Sequence, residues 1–340
     1  MKAMLLTAPS VLEYVDVPDP VLEADDDVLV RVGATSICGS DTHGYTGHGG
    51  RRVPPLIMGH ETSGQVVAIG SAVTNVAVGD RIFVLPMLSC LQCQSCRAGA
   101  YDECTGRLVY GADLPGAFAD LIRIKARAAV PIPDNVSFLQ GALIEQLAVV
   151  VKGISRATIA AGDSVAVVGA GPIGMLSLFV LKLHHPRNLI VVEPDAGRRQ
   201  MALDFGATLA IDPTTTDVTA AAAEVTRGLG ADVTVEAAGI TPSVASAVNV
   251  TRPGGTLVWL GNTGRVVEID EFKVVWNQLT IVASVGMTRA SVTRAIELIE
   301  TGAVPVERLV SLAVPLAEGV AAFERTVHDM SVIKTVLLGQ

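Results

Sequence analysis

Apolar and polar positions follow two different rhythms along this chain. From Lys2 to about Ala129, short apolar runs such as Val28–Val32, Gly64–Gly70 and Arg81–Val84 are each closed by turn-prone residues. That punctuation predicts a compact lobe rich in β-strands. After Glu145 the rhythm changes to strands alternating with helix-length segments. Six strands are predicted, at Val165–Val168, Leu189–Val192, Leu209–Ile211, Val233–Val235, Leu257–Leu260 and Thr280–Ala283. Strands with helical crossovers describe a doubly wound parallel sheet, a Rossmann arrangement in an α/β protein. Pro253-Gly254-Gly255 is the expected turn before the fifth strand, and Thr214–Ala223 a loop entering a helix. Beyond about Met287 the alternation stops. The amphipathic stretch Ala290–Glu300 and the strand-like Val332–Leu338 are expected to return to the first lobe.

Size and charge narrow the reading. A chain of 340 residues exceeds what one core usually holds, so two lobes are expected, one of them assembled from both chain ends. A net charge of −9 would repel a phosphate backbone, and Arg51-Arg52 and Arg198-Arg199 are pairs rather than a basic stripe, which argues against nucleic acid. The run Ala3–Leu6 after Lys2 is too short for the apolar part of a signal peptide, so cytoplasmic residence is expected. Val165–Leu181 lacks charge, but Gly169, Gly171, Pro172 and Gly174 interrupt it. Those residues suit a strand, a turn and a new helix, so no membrane span is expected.

That same segment carries the first chemical signal. Val165–Val168 runs into Gly169-Ala170-Gly171-Pro172-Ile173-Gly174 and then an apolar stretch, matching the glycine-rich turn of dinucleotide-binding folds in its required context. Gly169 permits the tight turn, Gly171 lets backbone approach a pyrophosphate, and Gly174 lets helix pack on strand, while Pro172 and Ile173 open the helix whose free N–H groups face the anion. Glu193, at the end of the next strand, could accept hydrogen bonds from the adenosine ribose. Its charge opposes a 2′-phosphate and favours NAD over NADP. Arg198 and Arg199 pull the other way if either turns inward, and otherwise form a solvated first helical turn.

Cysteine spacing carries the second signal. Cys90, Cys93, Cys96 and Cys104 fall within fifteen residues, and four thiolates can close a tetrahedral shell around a structural zinc. An iron–sulfur cluster fits less well, because Thr105 rather than proline follows Cys104 and the last spacing is long. The fifth cysteine, Cys38, stands apart in Cys38-Gly39-Ser40-Asp41-Thr42-His43, about twenty residues before Gly59-His60-Glu61. One thiolate and one imidazole leave a zinc coordinatively open, as catalysis requires. A carboxylate is needed to complete the shell, and Glu61 and Glu145 both qualify, the latter where the two lobes are expected to join. Taken singly, Cys38 could be a small buried hydrophobe, His60 a satisfied histidine and Glu145 a carboxylate at a helix start.

Together these segments resemble the zinc-containing medium-chain dehydrogenase/reductase superfamily, and within it the sorbitol and related polyol dehydrogenases. The resemblance rests on Cys38-Gly39-Ser40-Asp41 with His43, Gly59-His60-Glu61, the four-cysteine lobe, Glu145-Gln146-Leu147-Ala148, the Gly169 turn with Glu193, and Gly230–Val233 running to Glu236–Gly239. It implies a GroES-like β-barrel catalytic domain over residues 1–146 and 288–340 and a Rossmann domain over 147–287. It also implies Cys38, His60 and Glu145 as catalytic zinc ligands, with Glu61 in an outer or alternate role. Gln146 departs from the proline common in the polyol branch, and Glu193 from the usual aspartate.

The implied chemistry is oxidation of a secondary alcohol, a sugar alcohol by preference, with two zinc ions per chain and NAD. Ser40 would take the hydroxyl proton and His43 exchange it with solvent. Three alternatives remain open: an NADP-linked aldehyde or ketone reductase, a threonine or diol dehydrogenase, and a non-catalytic dinucleotide-binding module. A homodimer or homotetramer is a family expectation.

Overall fold

The computed structural model describes residues 1–47 and 51–339. The chain divides into two compact units, Met1–Glu145 with Val292–Gln340, and Gln146–Ser291.

In the first unit the long strand Asp27–Ser36 is the organising element. It pairs antiparallel with Glu61–Ile69, with Leu121–Lys125 and with the C-terminal strand Lys334–Leu338. Its inward residues Val28, Val30 and Val32 pack with Val66, Ile82, Ile122 and Ile124, all nearly or fully buried, each worth about 1.5–3 kcal/mol of transfer free energy. A second core gathers Met4, Leu6, Met58, Phe118 and Phe323. The amphipathic stretch predicted near the C-terminus is the helix Arg289–Glu300. The register of the central strand sets Ser36 opposite both Glu61 and Val336. Ser36 and Val336, 300 positions apart along the chain, therefore meet at one strand end.

The second unit is a six-stranded sheet, all parallel. Its order is Leu209–Ile211, Asn188–Val192, Ser164–Val168, Ala231–Glu236, Thr251–Trp259, Thr280–Ala283. Chain direction across the sheet switches between Ser164–Val168 and Ala231–Glu236, where open α/β sheets bind ligands. Every residue of Ser164–Val168 is buried, as expected for a strand covered on both faces. One detail differs from expectation. Pro253-Gly254-Gly255 is not a separate turn but lies within the strand span Thr251–Trp259. Pairing jumps from Ala231↔Thr251 to Val233↔Thr256, and Gly254 takes φ +68°, so the extra residues bulge out and the strand resumes. Among the described residues no helix is long and apolar enough to cross a membrane.

Candidate active site

Local chemistry at the end of strand Asp27–Ser36 builds the site. Cys38 caps the short helix Gly39–Tyr45, and Asp41, fully buried, accepts the Cys38 N–H at Oδ2 (3.1 Å). The other Asp41 oxygen accepts from Arg52 Nη2 at 2.9 Å and lies 3.2 Å from His60 Nδ1. A carboxylate on Nδ1 fixes the imidazole and leaves Nε2 for a metal. Burial works against ionisation of Asp41, yet His60 and Arg52 bring its pKa down to about 2. For His60, burial again opposes the charge, but Asp41 and Cys38 outweigh it and raise its pKa well above the usual value. Gly59 sets the entry to His60: at φ +94°, a Cβ there would sit 2.5 Å from the Phe118 ring, so only glycine lets the chain pass so close.

Glu61 is fully buried, and its Oε2 accepts from Ser36 Oγ and from Lys334 Nζ, the latter at 2.5 Å. Lys334 is itself 2% exposed and also donates to the Ile37 carbonyl at 2.8 Å. Glu61 Oε1 has no hydrogen-bond partner among the described residues. The ligand atoms of Cys38, His60 and Glu61 all lie within 4.8 Å of one another. One thiolate, one imidazole and one carboxylate oxygen in want of a partner form a donor set that suits zinc, whose ligands stand about 2.0–2.3 Å from the ion. Glu145 is outside that triplet but close enough to interact with it. Its pKa is pushed up to about 7, first by burial and then by the Glu61 carboxylate, with His60 and Lys334 pulling the other way. Two buried carboxylates crowded this way would both be favoured by a nearby dication.

Ser40 Oγ is 3.5 Å from His60 Nε2 and accepts from Arg52 Nη2 at 3.1 Å. His43, one helical turn on and exposed, shares that face of the helix. Lys334, Arg52 and the capping role of Asp41 had not been singled out from sequence. Lys334 carries a faint signal, as the lone charge in the stretch Val332–Leu338.

Four cysteines make the second metal group, their sulfurs within 4.8 Å of one another. Backbone N–H groups of Cys90, Gln92 and Cys93 point at sulfur, Cys90 N–H to Cys104 Sγ at 3.2 Å and Cys93 N–H to Cys90 Sγ at 3.3 Å. The Cys90 and Cys96 sulfurs are 4.0 Å apart, well beyond the ~2.05 Å of a disulfide. The thiols do not ionise alike. An N–H bond from Cys96 leads in lowering Cys93 to about 6, whereas burial leads in raising Cys96 to about 12. A dication would hold all four as thiolates.

In the second unit the glycine turn adopts the geometry its residues permit. Gly169 takes φ +91°, and a Cβ at Gly174 would stand 1.8 Å from the Gly169 carbonyl oxygen. Gly171 caps the helix Pro172–Lys182, and a Cβ there would meet no protein atom within 4 Å, leaving room above the helix N-terminus for a pyrophosphate. Glu193, 5% exposed, accepts from the Ala170 N–H at 2.6 Å and the Asp195 N–H at 3.0 Å, tying its strand end to the turn. Each oxygen keeps a lone pair for a ribose hydroxyl. Arg199 pairs with Asp212 at 3.0 Å and donates to the Glu193 and Pro194 carbonyls. The Arg198 N–H is held by Asp195 Oδ1 at 2.8 Å at the helix start.

Comparison with known proteins gives the family. Residues 24–134 match the family model described as the alcohol dehydrogenase GroES-like domain, and residues 172–301 that described as zinc-binding dehydrogenase. The chain therefore belongs to the zinc-binding alcohol and polyol dehydrogenases, oxidoreductases with a GroES-like and a Rossmann fold. Among its relatives, D-xylulose reductase A of Aspergillus oryzae is 32% identical over 338 residues, 96% of this chain and 94% of that protein. A zinc-binding dehydrogenase from Sinorhizobium meliloti 1021 bound to NADP superposes with a TM-score of 0.90 at 32% identity, covering 99% of this chain and 98% of that one. An alcohol dehydrogenase from Thermus sp. ATN1 gives 0.93 at 26%, covering 100% of both. The 2R,3R-butanediol dehydrogenase of Bacillus subtilis gives 0.90 at 28%, covering 100% and 99%.

Proposed function

We propose that this protein oxidises a secondary hydroxyl of a small sugar alcohol and passes the hydride to NAD, using one open and one closed zinc site per chain. The convergence of Cys38, His60 and Glu61 around an unpartnered Glu61 Oε1 carries the reading. Cys38 and His60 would hold the open-site ion with Glu61, Glu145 or both, and Cys90, Cys93, Cys96 and Cys104 the closed one. When bound, zinc supplies Lewis-acid polarisation of the substrate oxygen and the nicotinamide supplies the hydride acceptor. The chain's own part is positional and protonic. Ser40 Oγ takes the hydroxyl proton, and His43 on the same helical face exchanges it with solvent. Asp41 keeps His60 Nδ1 occupied, and Lys334 holds Glu61 in place. The helix N-terminus at Gly171, Pro172 and Ile173 receives the pyrophosphate, and Glu193 the adenosine ribose.

Substrate class follows from the relatives named for D-xylulose, because a ketose reductase run in reverse oxidises a secondary hydroxyl of a sugar alcohol. Cofactor choice rests on Glu193 in this chain, since the Sinorhizobium structure carries NADP. Initial rates with xylitol, followed by NADH or NADPH absorbance, should favour NAD. Glu193→Ala should narrow that preference by roughly ten-fold, about 1.4 kcal/mol, through loss of a repelling charge; an unaltered ratio would remove Glu193 from the ribose site. Assembly into a homodimer or homotetramer and cytoplasmic residence belong to the same proposal. The first is supported by the sheet-edge strand Thr280–Ala283 and by exposed Phe272 and Trp276, whose rings stack at 5.7 Å. The second is supported by five cysteines of which none is in a disulfide.

A further inference from the structure

Arg52 lies in no motif, yet it is built into the candidate active site. Its aliphatic stem crosses the helix Gly39–Tyr45 at Gly44, where a Cβ would sit 2.1 Å from Arg52 Cδ, so a side chain at that position would push the arginine away. Its side chain is 11% exposed. A single nitrogen, Nη2, does all the bonding, to Asp41 Oδ1 at 2.9 Å and to Ser40 Oγ at 3.1 Å; it stands 3.4 Å from His60 Nδ1, whose proton faces Asp41. Nε is buried without a partner, and among the described residues Nη1 makes no hydrogen bond.

A guanidinium has five N–H donors in a rigid fork, and leaving buried ones unmet is unfavourable. Asp41, the carboxylate that faces it, also serves His60 Nδ1, so one carboxylate oxygen is shared between two donors and Arg52 has no acceptor of its own there. A further cation beside a site for a divalent metal is opposed by like charge unless an oxygen-rich ligand lies against both. We propose that Arg52 is a specificity-determining residue, donating through its unspent N–H groups to the oxygen on the carbon next to the reacting carbinol. It would thereby select vicinal diols and polyols over simple secondary alcohols. This rests on the polyol reading above, and it explains why a cation is placed against Ser40, the residue assigned to the reacting hydroxyl.

The test compares kcat/KM for xylitol, 2R,3R-butanediol and 2-butanol in the wild-type holoenzyme, Arg52→Met and Arg52→Lys, with zinc content and thermal stabilisation by xylitol measured alongside. Losing a charge-assisted bond to a substrate oxygen should cut the diol-to-2-butanol ratio by about 10- to 100-fold, chiefly through KM. Zinc per chain should stay constant, the stabilisation by xylitol should shrink, and lysine should restore part of the ratio. Parallel losses on butanediol and 2-butanol, at an unchanged ratio, would overturn the proposal and leave Arg52 as a prop for Asp41. If Arg52→Met does not fold, Gly44→Ala, which displaces the stem but keeps the charge, should lower the same ratio. Wild-type enzyme that refuses xylitol yet accepts butanediol would sink the polyol reading alone, and Arg52 would then be judged on butanediol against 2-butanol. Refusal of both diols would sink both.

Discussion

Cys38→Ala is expected to lower turnover on the order of a thousand-fold or more, because it removes the only sulfur from the open donor set and leaves His60 and the carboxylates to hold a dication alone. Zinc should fall from two ions per chain to one, since the four-cysteine group is a separate cluster. Cofactor affinity should change little, because the glycine turn and Glu193 belong to the other compact unit. Metal analysis and NADH titration on the same preparation check all three. A variant that kept two zinc ions, or turned over at a comparable rate, would break the link between Cys38 and the metal.

The second large effect concerns stability. Lys334→Met should destabilise the protein by about 3–5 kcal/mol, the usual result of removing one partner from a buried ion pair. Glu61 would be left with its charge in the interior and the Ile37 carbonyl with no donor. For a chain of 340 residues the thermal midpoint should drop by about 4–7 °C. Adding Glu61→Gln should recover much of that loss, because the uncompensated charge is then gone. A single variant as stable as the wild type would show that the pair does not carry its charge in isolation from water. A double variant no better than the single one would assign the loss to packing.

Legibility from sequence depended on how local each signal was. The six parallel strands could be read because each holds a short, largely apolar run bounded by turns, as Ser164–Val168 and Asn188–Val192 show. Cysteine spacing and the glycine turn are likewise contained in fifteen residues or fewer. Pro253-Gly254-Gly255 misled because local turn chemistry cannot say whether the chain re-enters the same strand, and here a bulge carries it back. Lys334 was out of reach for another reason. It meets Glu61, 273 positions away in sequence, only because the C-terminal strand pairs with Asp27–Ser36, and pairing over such a distance leaves no local pattern. In the sequence Arg52 is only half of an Arg-Arg pair. Only the close approach of its stem to Gly44 and its bonds to Ser40 and Asp41 separate it from Arg51, which pairs with Asp113 at the surface. The choice between Glu61 and Glu145 is equally non-local. The structure brings Glu61 into the converging triplet and sets Glu145 beside it, raised in pKa by burial and by Glu61.

The most direct measurement is the rate of NADH formation from xylitol and NAD before zinc is stripped by a chelator, after stripping, and after zinc alone is returned. Activity should vanish with the metal and come back with it. Undiminished NADH formation in fully zinc-depleted protein would contradict an open metal site at Cys38, His60 and Glu61 as the seat of the chemistry.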